Sequence, residues 1–142
     1  MKELYLVTAK DRAVLRYGQL VILSNGIHVF VEKRGREWKA TELLTGLLVP
    51  LKDENKKRRS DCVWELNKIQ ELIYNSVRGI FSSTSVRNLK PIMTRRGLAE
   101  DELNDICYYA KRDYSGEFLN EYKRLCKYAM EWTRGIGKEE QK

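Results

Sequence analysis

The chain has one histidine, two prolines and three cysteines in 142 residues, and each scarcity removes a class of chemistry. A zinc centre needs three or four converging His, Cys or carboxylate ligands. A single His28 with scattered thiols does not supply them, so no metal is expected. A Ser-His-Asp arrangement would have to use His28 as its base, and no GxSxG elbow accompanies it. His28 is expected on the surface of a strand. No GxGxxG or GxxxxGK[ST] phosphate loop occurs, and Gly135-Ile136-Gly137-Lys138 is too short to make one. The expectation is a non-enzymatic protein without a cofactor.

Cys62, Cys107 and Cys126 are odd in number and form no CxxC pair. That is not a disulfide framework, and it suits reduced thiols in the cytoplasm. A Cys107–Cys126 bridge is the one pairing left open. The apolar run at the start ends at Val7, short of a signal-peptide core. No run approaches the roughly 20 residues that span a bilayer, so no membrane partner is expected.

What the chain has in excess is positive charge, unevenly placed. Residues 1–55 carry 9 basic and 7 acidic side chains, residues 56–97 carry 10 and 3, and residues 98–142 carry 8 and 10. The middle stretch therefore accounts for the whole net of +7. An asymmetric basic segment points to a polyanionic partner.

The first fifty residues read as strands, with extended apolar runs at 4–8, 14–17, 20–23 and 27–31. Asn25-Gly26, between two such runs, is a strong hairpin signal and predicts a type I′ turn joining strands at about 19–24 and 27–32. In the second arm Ile27, Val29 and Val31 would face one way and His28, Phe30 and Glu32 the other. The conformation of 38–50 is open: Thr41 to Leu44 suits a helix start, and Leu47 to Val49 suits a strand.

After the charged link 52–59 the period changes. Val63, Leu66, Ile69 or Gln70, Ile73, Val77 and Ile80 mark an amphipathic helix with Ser60 as N-cap and Gly79 as stop. Residues 81–90 read as a loop, and Pro91 opens a short helix over 91–96 that ends at Gly97. Glu100-Asp101-Glu102 favours a helix N-terminus, and Leu103, Ile106 and Ala110 form that helix's apolar face. A last helix over 116–132 buries Phe118, Tyr122, Leu125, Ala129 and Trp132, and the tail from 135 frays. The expected core is Leu66, Ile73, Val77, Leu103, Ile106, Phe118 and Leu125.

Strands before helices indicate an α+β fold: a small N-terminal antiparallel sheet packed with three to four helices. It is expected as one domain over 1–142, β-rich over 1–51 and helical over 60–134. Two separate pieces would each be marginal.

The candidate binding residues are Lys56, Lys57, Arg58 and Arg59, just before a helix, with Arg87, Arg95 and Arg96 in the loop and short helix beyond. Basic side chains that neutralise phosphates release counterions and make affinity salt-dependent. The leading expectation is an accessory protein that binds nucleic acid or a nucleoprotein complex through this stretch. The acidic opening of helix 100–112 argues against a helix-turn-helix reader. The alternative is an inhibitor or adaptor acting by contact on a host protein, of the kind that phages and mobile elements encode, anti-CRISPR proteins among them. A weaker alternative is a metal-dependent nuclease using Glu37 and Lys39 of an E-x-K segment, with Asp11 or Glu32 as second carboxylate.

Overall fold

Asn25-Gly26 turns the chain as its sequence demands, but through a longer loop than a two-residue turn. Leu23 and Ile27 close the hairpin (Leu23 N–H to Ile27 O, 2.9 Å), and Gly26 N–H donates to Leu23 O at 2.8 Å. Three residues, 24–26, lie between the closing pair. That is the turn-plus-bulge form of hairpin, which needs a left-handed residue at its third position. Gly26 supplies it with φ of 94°. A Cβ on Gly26 would also lie 2.5 Å from Lys123 Cε, the far end of a flexible side chain that can shift aside, so the positive φ is what favours glycine here.

In this computed structural model the described residues are 2–9, 12–83, 98–112 and 116–140. Four strands form an antiparallel meander in the order β1-β2-β3-β4: β1 (Glu3–Ala9), β2 (Arg12–Ile22), β3 (His28–Arg34) and β4 (Glu37–Glu42). Four helices follow: α1 (Arg59–Lys68), α2 (Gln70–Ser83), α3 (Glu100–Arg112) and α4 (Glu117–Glu140). The fold class is α+β. Two runs that read as separate strands on either side of Gly18 are one strand, β2. Its first part pairs with β1 (Leu6 opposite Leu15) and its second with β3 (Val21 opposite Val29). The segment left open resolves as β4 over Glu37–Glu42, then a turn with Gly46 at φ 74°. That turn brings Leu48 back against Thr41, with Val49 N–H donating to Ala40 O at 2.9 Å.

β3 does not alternate. Val29, Phe30, Val31 and Glu32 are all buried. The face that reads as outward is covered too: Phe30 sits in register between Leu20 and Thr41, and Glu32 lies against Arg16 and Arg34. An interior strand covered on both sides loses the period of two.

The single helix expected over 60–79 is two helices. The chain breaks at Ile69 (φ −103°, ψ 18°), and the N-cap is Arg58, not Ser60. The hairpin tip docks at the break: Ser24 Oγ and Asn25 N–H donate to Gln70 Oε1 at 2.8 and 3.0 Å, and Asn25 Nδ2 donates to Gln70 O at 2.9 Å. Gly79 does not stop α2, because burial of Phe81 outweighs the roughly 1 kcal/mol that a helical glycine costs. Ser82 and Ser83 are therefore helical. α4 likewise runs past Gly135 to Glu140. Met130 and Thr133 are buried and carry the helix beyond residue 132, while Trp132 faces outward. The short helix expected over 91–96 lies outside the described residues.

All seven residues expected in the core are buried, within one apolar cluster that joins sheet and helices. Cys62, Cys107 and Cys126 are buried free thiols. Burial pushes the Cys62 thiol up to about 11, with the Glu65 carboxylate adding to the effect. Among the described residues no helix is long and apolar enough to cross a membrane.

Candidate functional site

The basic link is pinned at both ends. Pro50 and Leu51 lead away from β4, and Lys52 N–H donates to Glu65 Oε1 at 2.9 Å. Asn55 Nδ2 donates to the same oxygen at 2.8 Å. Residues Asp53–Asn55 form a 3-10 turn, and Lys56 O accepts Trp38 N–H at 2.7 Å, tying the turn to β4. Glu65 is buried because its carboxylate organises this turn, which satisfies an otherwise costly buried charge.

Lys56 Nζ lies 3.1 Å from Asp53 Oδ1, an exposed pair of small energetic weight. Arg59 Nε donates to Gln19 Oε1 and fastens α1 to the sheet. Lys57 and Arg58 are exposed, and their side chains have no hydrogen-bond or ion-pair partner among the described residues; the Arg58 carbonyl accepts Cys62 N–H at 3.1 Å, inside the helix start. They sit where α1 begins, and the Arg58 side chain makes no cap bond to the helix. Cations at a helix N-terminus oppose the macrodipole, whereas an anion there is favoured by the dipole and by the free N–H groups. The arrangement thus holds two free cations beside amides suited to phosphate. None of the four is paired with a described acidic residue of the C-terminal third. Arg87, Arg95 and Arg96 lie outside the described residues. Arg78, another cation of the stretch, is committed: its Nε donates to Ala110 O at 2.9 Å.

Sequence reasoning misses three neighbours. Trp64 is 57% exposed, and Lys68 Nζ lies 5.0 Å from its ring centroid. Lys52 lines a cleft of about 90 Å³ with both. The signal was present: Trp64 falls between the apolar positions 63 and 66, on the outward phase of the helix. On the other side of Lys52 lies a larger apolar groove of about 390 Å³, lined by Leu47, Val49, Leu51, Ile69 and Leu72. Leu72 and Leu48 are 66% and 52% exposed.

The E-x-K pair is assembled as a salt bridge, with Lys39 Nζ 3.2 Å from Glu37 Oε2. Glu32, opposite Lys39 in register, accepts from both Arg16 and Arg34. A divalent cation there would have to displace two guanidiniums. Asp11 lies outside the described residues. Among the described residues no three His, Cys, Asp or Glu side chains are grouped to hold a metal.

His28 is half-buried rather than at the sheet surface, edge-on to Tyr122 at 6.1 Å between centroids. Its Nδ1 lies 2.9 Å from Gly26 O. Burial lowers its pKa below 6.5; the Gly26 carbonyl opposes the shift and the Lys123 ammonium adds to it. In the unfolded chain His28 takes a proton near 6.5, before the folded chain does. Its contribution to stability is therefore present above that pH and is lost as pH falls through the lower folded value. We expect denaturant melts to show this slope in the wild type and a flatter profile in His28→Gln. An unchanged slope would place the effect on other groups.

No protein-family model, no curated protein and no solved structure matches the chain.

Proposed function

We propose that this is a non-enzymatic accessory protein that binds nucleic acid, free or within a nucleoprotein complex, through the basic surface at the start of α1. The observation that carries the reading is the pair Lys57 and Arg58, whose side chains are exposed and without described partners at a helix start that has no side-chain cap. Lys52, Lys56, Arg59 and Lys68 extend the positive surface, and Arg87, Arg95 and Arg96 are assigned to the same function from the sequence. The buried free thiols support a reducing, cytoplasmic location.

The test is fluorescence anisotropy with labelled single-stranded and duplex DNA and RNA across a salt series. Lys57→Glu/Arg58→Glu weakens binding to every probe and flattens the log–log salt slope by about two units, roughly 0.9 for each phosphate no longer neutralised. The fold survives, since exposed charges add little to stability. Wild-type affinity in the double variant, or binding that ignores salt, overturns the assignment.

A second reading, an adaptor or inhibitor acting by contact on a host protein, is favoured by the apolar groove with its exposed Leu72. Grooves of this kind with a polar rim are commonly protein contacts. Leu72→Glu separates the two: it leaves nucleic-acid binding intact and abolishes capture of a protein partner.

A further inference from the structure

We propose that Trp64 is a base-stacking residue, so that the basic surface at α1 binds single strands with unpaired bases more tightly than duplexes. This rests on the nucleic-acid reading and names the form of its partner.

A folded chain gains by burying an indole, and α1 buries Cys62, Glu65 and Leu66 instead. Trp64 stands outward, 57% exposed, on a rigid support. Glu65 beside it is locked to Lys52 N–H and Asn55, and Asn55 belongs to the turn tied to β4 through Lys56. Lys68, one turn along, holds its ammonium 5.0 Å from the ring centroid, a cation–π contact that orients the indole.

The ring forms one wall of the 90 Å³ cleft, with Ile69 as an apolar neighbour and Lys52 and Lys68 as cations. That space suits one flat heteroaromatic ring and not a base pair. Arg58 precedes Trp64 by six residues, about 9 Å along a helix axis, close enough for one strand to place a phosphate at the former and a base on the latter. Glu54, also on the cleft, repels a phosphate at that point but can accept from an N–H of a base, the N3–H of thymine or uracil included. Every base offers a π-face, so an aromatic beside cations binds single strands with little sequence preference. In a duplex those faces are already stacked and only the phosphates remain to be gripped.

Labelled oligothymidylate, oligouridylate and a duplex of equal length are titrated at low salt with the wild-type chain, Trp64→Ala and Trp64→Phe. The result expected is a loss of about tenfold on the single strands in Trp64→Ala, with duplex affinity unchanged and most of the loss restored by Trp64→Phe. The two single-stranded arms show whether DNA or RNA is preferred. Circular dichroism and melting of Trp64→Ala match the wild type, because the side chain is exposed. Equal losses on single strands and duplex, or none on either, overturn the stacking role while leaving the basic surface standing. A wild-type chain that binds no probe overturns both and leaves Trp64 as a protein-contact residue.

Discussion

Alanine in place of Phe118 lowers stability by about 3–5 kcal/mol, the usual cost of deleting a buried aromatic. Phe118 is fully buried at the start of α4. Its ring lies 5.9 Å from Tyr74 and 6.1 Å from Phe81 on α2, and 6.2 Å from Tyr122 one turn along α4. The truncation therefore removes apolar burial and the seam between two helices together, and leaves a cavity rigid neighbours cannot close. A domain of this kind has roughly 5–15 kcal/mol in total, so the melting temperature falls by about 10 °C or more. Phe118→Leu, which keeps most of the volume, loses less. A melt shifted by only a degree or two in Phe118→Ala would show that this seam is not packed as described.

Glu42→Ala is the second large loss. Its buried carboxylate accepts from Leu44 N–H at 2.6 Å, Thr45 N–H at 2.8 Å, Thr45 Oγ1 at 2.9 Å and Tyr122 O–H at 3.2 Å. Tyr122 O–H in turn accepts His28 N–H at 3.1 Å. One side chain thus closes the turn after β4 and ties α4 to β3 and β4. Burial, chiefly, holds the Tyr122 hydroxyl well above its ordinary pKa, so it stays protonated and donates. Removing the acceptor strands at least two buried donors, each costing about 1–3 kcal/mol. The expected total is about 3–5 kcal/mol by denaturant melt. Glu42→Gln keeps one strong acceptor and loses less. Tyr122→Phe loses least, and the Glu42→Ala/Tyr122→Phe double variant is less destabilised than the sum, since both act on one hydrogen bond. Additive losses would show the two to be independent.

The periodicity of the chain carried most of the fold. Leu66, Ile73 and Val77, and then Leu103, Ile106, Phe118 and Leu125, are buried where three- and four-residue spacing puts them. The turn at Asn25-Gly26 follows from the one residue there that adopts positive φ freely. The candidate site was legible only in part. A run of four cations is visible in any sequence, but which of them are free is not. Lys56 and Arg59 are held by Asp53 and Gln19, and Gln19 is forty residues away. Trp64 was readable as off-phase, yet its link to Lys52 and Lys68 depends on how the 3-10 turn folds back on α1.

The amino-acid sequence by itself determined the class of the fold, the helix faces and the segment that holds the excess positive charge, because these depend on spacing and composition within a few residues. Tertiary structure alone decided where the first long helix breaks, why β3 is buried on both faces and why α4 continues past Gly135. Each of those reflects a partner distant in sequence: the hairpin tip on Gln70, the guanidiniums on Glu32, the core around Met130 and Thr133. Burial of apolar surface and satisfaction of buried polar groups are settled between such segments, and there they outweigh local propensities of about 1 kcal/mol or less.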